Sequence, residues 1–269
     1  MIARTLRAIP TLLRVGVAET VAYRAEFLVW TLTTTIPLIM LAFWTSVARG
    51  GQFAGYTAAD FTAYFLANLI VRQVTSNWVG WQMAEEIRTG SMSMRLLRPI
   101  HPFVALTMSQ VAALPFRSMI AIPVAVILLA TSGSHALTTD PLQLALLVPS
   151  LALAWIVNFG LMFAMGATGF WFTQVYAIAN FYFALYMLLS GYMMPLDVLA
   201  TKQPLVAKIA HYTPFPSMVD APIRLLIGHL DHAQALRLLA VQGGWAVVCV
   251  AFGIAVWRRG LRRFEAVGG

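Results

Sequence analysis

The chain has 269 residues, 60% hydrophobic and only 10% charged, with a formal net charge of +8. Soluble globular chains carry roughly 25% charged residues, so the composition excludes that class and describes a polytopic membrane protein. The basic excess does not call for a nucleic-acid partner, because basic residues collect on the cytoplasmic segments of membrane proteins. The single cysteine, Cys249, rules out an intrachain disulfide and a cysteine-based zinc site.

Residues 1–24 carry Arg4, Arg7, Arg14 and Arg24, while Ile2, Leu6, Ile9, Leu13, Val17 and Val21 recur three or four apart. That spacing lines one helix face, with Pro10 expected to interrupt the helix or to open its longer half. Such a basic amphipathic helix over 1–26 either lies along the inner membrane surface or serves as a topology-setting leader. The first long apolar run begins near Phe27 and is long enough to span, so no cleaved signal is expected. Six membrane spans are predicted, near 27–48, 61–82, 104–131, 142–172, 175–196 and 236–257. The fourth exceeds one straight crossing of about 20 residues. It is expected to tilt, to break near Pro149 or Gly160, or to run beyond the bilayer.

Between the second and third spans lies 84–103, AEEIRTGSMSMRLLRPIHPF, the one sustained polar passage in the first half. It holds Glu85, Glu86, Ile87, Arg88, Gly90, Arg95, Leu97 and Arg98, and a stop at Pro99 and Pro102. Joining two helices needs only a few residues, so this connector reads as a docking element for a cytoplasmic partner. With both termini inside, cytoplasmic segments hold eleven of the eighteen lysines and arginines, and the short loop 132–141 holds none. The positive-inside rule favours that orientation. The segment 195–235 carries five prolines between apolar pieces too short to span, at 205–210 and 223–227, and reads as re-entrant or surface-lying helices. The whole chain, 1–269, reads as a single all-α membrane domain.

Catalytic chemistry has little support. No glycine-rich loop followed by Lys-Ser/Thr occurs, and both lysines, Lys202 and Lys208, lie in 195–235, so the chain has no P-loop of its own. His229 and His232 flank Asp231 at a spacing that suits a metal, but solvated loop histidines are far commoner, and no metal or cofactor is expected. No Asp or Glu lies in any span, which argues against a proton relay or a buried acid protease. The spans do contain Arg72 and Arg117. Arg72 falls about 18 Å below Asp60 at 1.5 Å per residue. Asn68, Arg72 and Ser76 form a polar stripe at spacings of four, and Gln110 and Arg117 line the third span. A cation at that depth must face protein, water or an anion. Two readings stay open: a pathway wall that attracts an anionic substrate or headgroup, or arginines bonded to carbonyls freed near Pro115 and Pro123 or snorkelling to phosphates. Small residues at Gly160, Ala164, Gly166, Ala167 and Gly169 allow close helix approach, within the chain or against a second copy.

Several motifs resemble those of the membrane subunits of ABC-2-type ATP-binding-cassette exporters, in their bacterial six-span branch. They are Tyr23-Arg24-Ala25-Glu26-Phe27, Glu86-Ile87-Arg88-Thr89-Gly90 running into Leu96-Leu97-Arg98-Pro99-Ile100, Met194-Pro195-Leu196, Pro214-Phe215, and Pro222 through Gly228. The resemblance implies a connecting helix at the inner surface, a coupling element at 84–103 that inserts into a nucleotide-binding subunit, and short outer helices before the sixth span. It implies a permease in the bacterial inner membrane that works in pairs, as a homodimer or with a homologue, among membrane lipids. Two ATPase subunits would hold ATP and Mg, and an amphipathic small molecule, drug, peptide or lipid would move outward. The alternative is an ATP-independent facilitator, channel or scaffold.

Overall fold

The computed structural model of the protein describes residues 2–22, 35–132, 137–228 and 230–264. Among these, no β-strand occurs, only an isolated bridge between Phe53 and Tyr56. In chain order the helices are α1 (Ile2–Ala22), α2 (Thr35–Val47), α3 (Ala58–Thr75), α4 (Val79–Arg88), α5 (Met92–Leu96) and α6 (Pro102–Ser132). There follow α7 (Pro141–Ala167), α8 (Tyr176–Leu189), α9 (Leu196–Lys202), α10 (Pro204–His211), α11 (Asp220–Ile227) and α12 (His232–Leu261).

Three long helices start on caps legible in their side chains. Thr57 and Asp60 form a reciprocal capping box before α3, and Asp231 and Gln234 form another before α12. Asp140 accepts the Leu142 N–H at 2.8 Å and is followed by Pro141 in the first turn of α7. Each cap satisfies donors that the first turn leaves without helical partners. All three caps lie at one end of the molecule. There Asp140 pairs with His232, Thr138 donates its N–H to the Leu226 carbonyl at 2.9 Å, and the Tyr56 hydroxyl reaches Asp197 at 3.2 Å. The chain turns at the opposite end through α5, where Gly169 lies over Ile87 and Ala84, and Phe170 packs on Trp257 and Phe264. We call these the cap end and the elbow end.

Helices Pro141–Phe170 and His232–Leu261 are each long and apolar enough to cross a membrane. The surface between the two ends exposes Phe43, Met119, Ile127, Val148, Phe181 and Val247, as a lipid-facing wall would. The long helices meet through small residues. A Cβ on Gly160 of α7 would sit 2.8–2.9 Å from the backbone of Cys249 and Val250 in α12, and one on Gly166 would meet Gly80 of α4. The small-residue face therefore closes packing within the chain. A buried relay adds to it: the Ser150 hydroxyl donates to Gln242 at 2.7 Å, and the Gln242 amide donates to the Ser217 carbonyl at 2.8 Å.

Several expected boundaries move. The second run, expected whole over 61–82, is two helices, because Ser76 turns extended and α4 restarts at Val79. The connector is shorter than expected, since α4 stays helical through Arg88. The fourth run does not break at Pro149 or Gly160; α7 is continuous for 27 residues and ends in a 3-10 turn, Thr168–Phe170. The fifth is helical only over Tyr176–Leu189, because Gly191 takes a left-handed φ of +88° just beyond it. Pro10 lies inside α1 without ending it. The face of α1 that meets α6 is centred on Gly16, which approaches Ala112 and Ser109, while Val17 from the predicted stripe is exposed. The opening of the first expected span, with Tyr23–Phe27 before it, lies outside the described residues, as does His229.

Two apolar cores stack along the molecule. The cap-end core gathers Trp44, Phe61, Tyr64, Phe65, Tyr192 and Met218. The elbow-end core gathers Met83, Ile87, Met92, Leu106, Phe163 and Trp257. The interruption between α3 and α4 falls between them.

Candidate functional site

The polar connector folds as an elbow with its own anchor. Gly90 adopts φ +76°, a left-handed conformation that costs glycine nothing, and turns the chain out of α4. The Ser93 N–H and hydroxyl both reach the Gly90 carbonyl, at 3.1 and 2.7 Å, and start α5. Ile87 and Met92, at 7% and 0% exposure, root the turn in the elbow-end core. Glu86 faces inward: Arg95 Nε donates to its Oε2 at 2.7 Å, Arg95 Nη2 pairs with Oε1, and Gln82 donates to it at 3.2 Å. This fork holds α5 against α4. Glu85 instead pairs with Arg88 across an exposed turn at 2.6 and 2.9 Å, which holds its carboxyl below the usual carboxylate range and raises the guanidinium. Leu97, Arg98 and Pro99 stand exposed. Leu97 is 80% exposed and Met94 is 65% exposed, so the tip is apolar with basic neighbours. Burial and the nearby Arg258 push His101 down, which puts the basic end of α12 beside the elbow.

The second polar group lies at the interruption of α3 and α4. Ser76, Asn77 and Trp78 leave the helix, and three side chains from neighbouring helices satisfy the backbone that this frees. Asn158 donates to the Thr75 carbonyl at 2.9 Å, Arg117 to the Ser76 carbonyl at 3.3 Å, and the Trp78 N–H donates to Gln110 Oε1 at 3.0 Å. Arg117 also donates to Gln110 Oε1 at 3.2 Å. Arg117 thus serves a carbonyl freed on the neighbouring helix, not one freed at Pro115 or Pro123 as the second reading expected. Asn68 donates to the Tyr192 carbonyl at 3.0 Å, and the Arg72 guanidinium lies 4.8 Å over the Tyr192 ring, on the same cavity wall as Tyr186. Beside these groups is a cavity of about 20 Å³ lined by Arg72, Ser76, Asn77, Trp78, Asn158 and Tyr186 among others. The structure thus brings Arg72, Ser76, Gln110 and Arg117 to one break, with Asn68 one turn away.

No curated protein matches the chain. The family profile described as "ABC-2 family transporter protein" matches residues 26–268. The chain belongs to the ABC-2 transporter family. The resemblance read from Glu86 through Pro99 and from the segment before α12 is thereby borne out. An ABC-2 chain is a membrane-integral permease of an ATP-binding-cassette transporter, and its partners are ATPase subunits. Within this permease, sequence reasoning missed the cluster at the cap end. Asp220, 6% exposed, pairs with Arg224 Nε at 2.8 Å, and Arg224 also pairs with Asp197. The Tyr64 hydroxyl donates to the Gly191 carbonyl at 2.8 Å beside them. The i,i+4 spacing of Asp220 and Arg224 was the available signal. Burial pushes the Asp220 carboxyl up to about 6, with Arg224 pulling the other way. Among the described residues no group of acids, histidines and cysteines is arranged to hold a metal.

Proposed function

We propose that this permease is the six-span subunit of an outward-pumping transporter, driven through its elbow by ATPase subunits that carry the ATP and Mg. The observation that carries the proposal is the apolar tip, Met94 and Leu97, standing in solvent on a turn rooted by Ile87, Met92 and the Glu86–Arg95 fork. Exposed apolar side chains on a braced protrusion mark an interaction site. α4 then runs about 15 Å from the elbow to the interruption at 76–78, at 1.5 Å per residue. A push on the tip would swing α4 about that interruption, where no helical hydrogen bonds resist bending. Two such subunits, identical or homologous, would enclose the pathway in the inner membrane with their elbows and both termini inside. Segments α9 to α11 would close its outer mouth. The cargo would be an amphipathic small molecule, drug, peptide or lipid.

The test is co-purification with the ATPase. Met94→Ser combined with Leu97→Asp is expected to abolish assembly and substrate-stimulated ATP turnover without changing the melting temperature of the permease alone. Full assembly and turnover in that variant, or vesicles that transport at full rate with this chain alone, would sink the proposal in favour of an ATP-independent facilitator.

A further inference from the structure

We infer that the interruption between α3 and α4 is a binding site for one halide-sized anion. The inference needs only the membrane placement of these helices and does not rest on the direction of transport or on the elbow. Its first support is an orphaned polar group. Asn77 is 4% exposed and lines the cavity, and neither its amide nitrogen nor its amide oxygen has a hydrogen-bond partner in the protein. Leaving both unpaired in an apolar interior costs free energy that a bound partner recovers.

The charge balance says which partner. The C-terminal end of α3 and the N-terminal end of α4 meet at the break, and their opposite half-charges offset each other. One guanidinium group, that of Arg72, remains on the cavity wall. Arg72 rests on the Tyr192 ring, and Arg117, outside the cavity lining, on the Ser76 carbonyl and the Gln110 amide oxygen, so every partner is neutral. Among the described residues no carboxylate pairs with either. Arg72 has five N–H donors, and its ring contact does not use them all. The unpaired Asn77 amide and the Arg72 charge therefore meet at one small space. Its volume of about 20 Å³ has room for a water or a small monatomic anion. Water would satisfy Asn77 but would leave the Arg72 charge uncompensated; an anion does both.

The experiment measures the melting temperature of the purified permease in detergent as sodium bromide replaces sodium gluconate at constant ionic strength. Wild type is expected to show a saturable rise of several degrees, by preferential binding to the native state. Arg72→Gln and Asn77→Leu should lose the rise, and Arg72→Lys should keep most of it. Asn77→Asp supplies a carboxylate in place of the anion, and should be insensitive to bromide while melting in gluconate near the wild-type bromide value. If Arg72→Gln does not assemble, the two Asn77 variants decide. A flat wild-type curve means that water alone occupies the cavity and overturns the inference. So does a bromide response that survives in Asn77→Leu, which would be a general salt effect. Failure here leaves ATP turnover and the elbow untouched, because the two are read in separate assays.

Discussion

At the cap end, Asp220 is 6% exposed and held by Arg224, with Tyr64 and Gly191 packed beside it, whereas at the elbow the Glu85 and Arg88 side chains are 55% and 61% exposed and touch mainly each other. Both ends use acid–arginine pairs spaced three or four residues along a helix, yet the surroundings give them different work. Buried pairs cannot rearrange without stranding a charge, so they fix geometry. Exposed pairs contribute little to stability and are free to exchange partners. The cap end is therefore built to hold shape, and the elbow to meet another surface, with the Glu86–Arg95 fork between the two regimes at 16% and 19% exposure.

The comparison breaks first at Gly191. With φ +88°, and with an added Cβ only 2.5 Å from the Tyr64 hydroxyl, Gly191→Ala should cost about 3 kcal/mol from left-handed strain and overpacking together. Thermal unfolding in detergent reads this. A loss under about 1 kcal/mol would mean that the cap end is not the stiff end, given the usual size of such effects. Asp220→Asn comes next, at about 1 kcal/mol at acid pH for altered polar contacts in a buried site, with the difference shrinking towards neutral pH. It also carries a pH signature. The folded carboxyl lies near 6, above its ordinary value, so its contribution is complete below about 4 and is lost as the pH rises through about 6. Wild-type stability should thus fall relative to Asp220→Asn across that window. A difference curve of opposite slope would show that pairing with Arg224 outweighs burial.

The comparison was only half legible in the sequence. The elbow was readable because Gly90, Pro99 and Pro102 punctuate an apolar chain, and glycine and proline act through local geometry. The cap end was not, because Asp197, Tyr56 and Tyr64 meet Asp220 and Arg224 only through packing of segments far apart in the chain. The interruption at 76–78 lies between these cases. No glycine or proline marks it, so the run reads as continuous by hydropathy. The polar string Arg72-Gln73-Val74-Thr75-Ser76-Asn77 was the available sign, but its meaning depends on Arg117 and Asn158 arriving from other helices to donate to the freed carbonyls and on Gln110 to accept a freed N–H. Arg117 itself was visible as costly; the carbonyl it serves was not.

Between the two regimes, Glu86→Gln should cost the permease about 1 kcal/mol, since one arm of the fork survives as a neutral hydrogen bond. It should lower substrate-stimulated ATP turnover more than that figure suggests, because α5 is no longer held square to α4. Restoring turnover by adding Arg95→Gln, with the stability loss unchanged, would show that a stranded Arg95 charge disturbs the tip and that the brace itself is dispensable.

The smallest effect is expected at the exposed pair, and there the sign carries the argument. Glu85→Gln removes a solvated carboxylate whose partner, Arg88, is itself 61% exposed, so the melting temperature should not move beyond error. If the pair serves docking, the same change should alter association with the ATPase in a salt-dependent way, because a rim charge acts through the long-range field that steers encounter. The association rate of Glu85→Gln should converge with wild type as ionic strength rises from about 0.05 to 0.5 M, over which the screening length falls several-fold. Arg88→Gln should shift the rate in the opposite direction at low salt. If both variants associate like wild type at every ionic strength, the pair plays no part in docking, and the apolar tip at Met94 and Leu97 carries the contact alone.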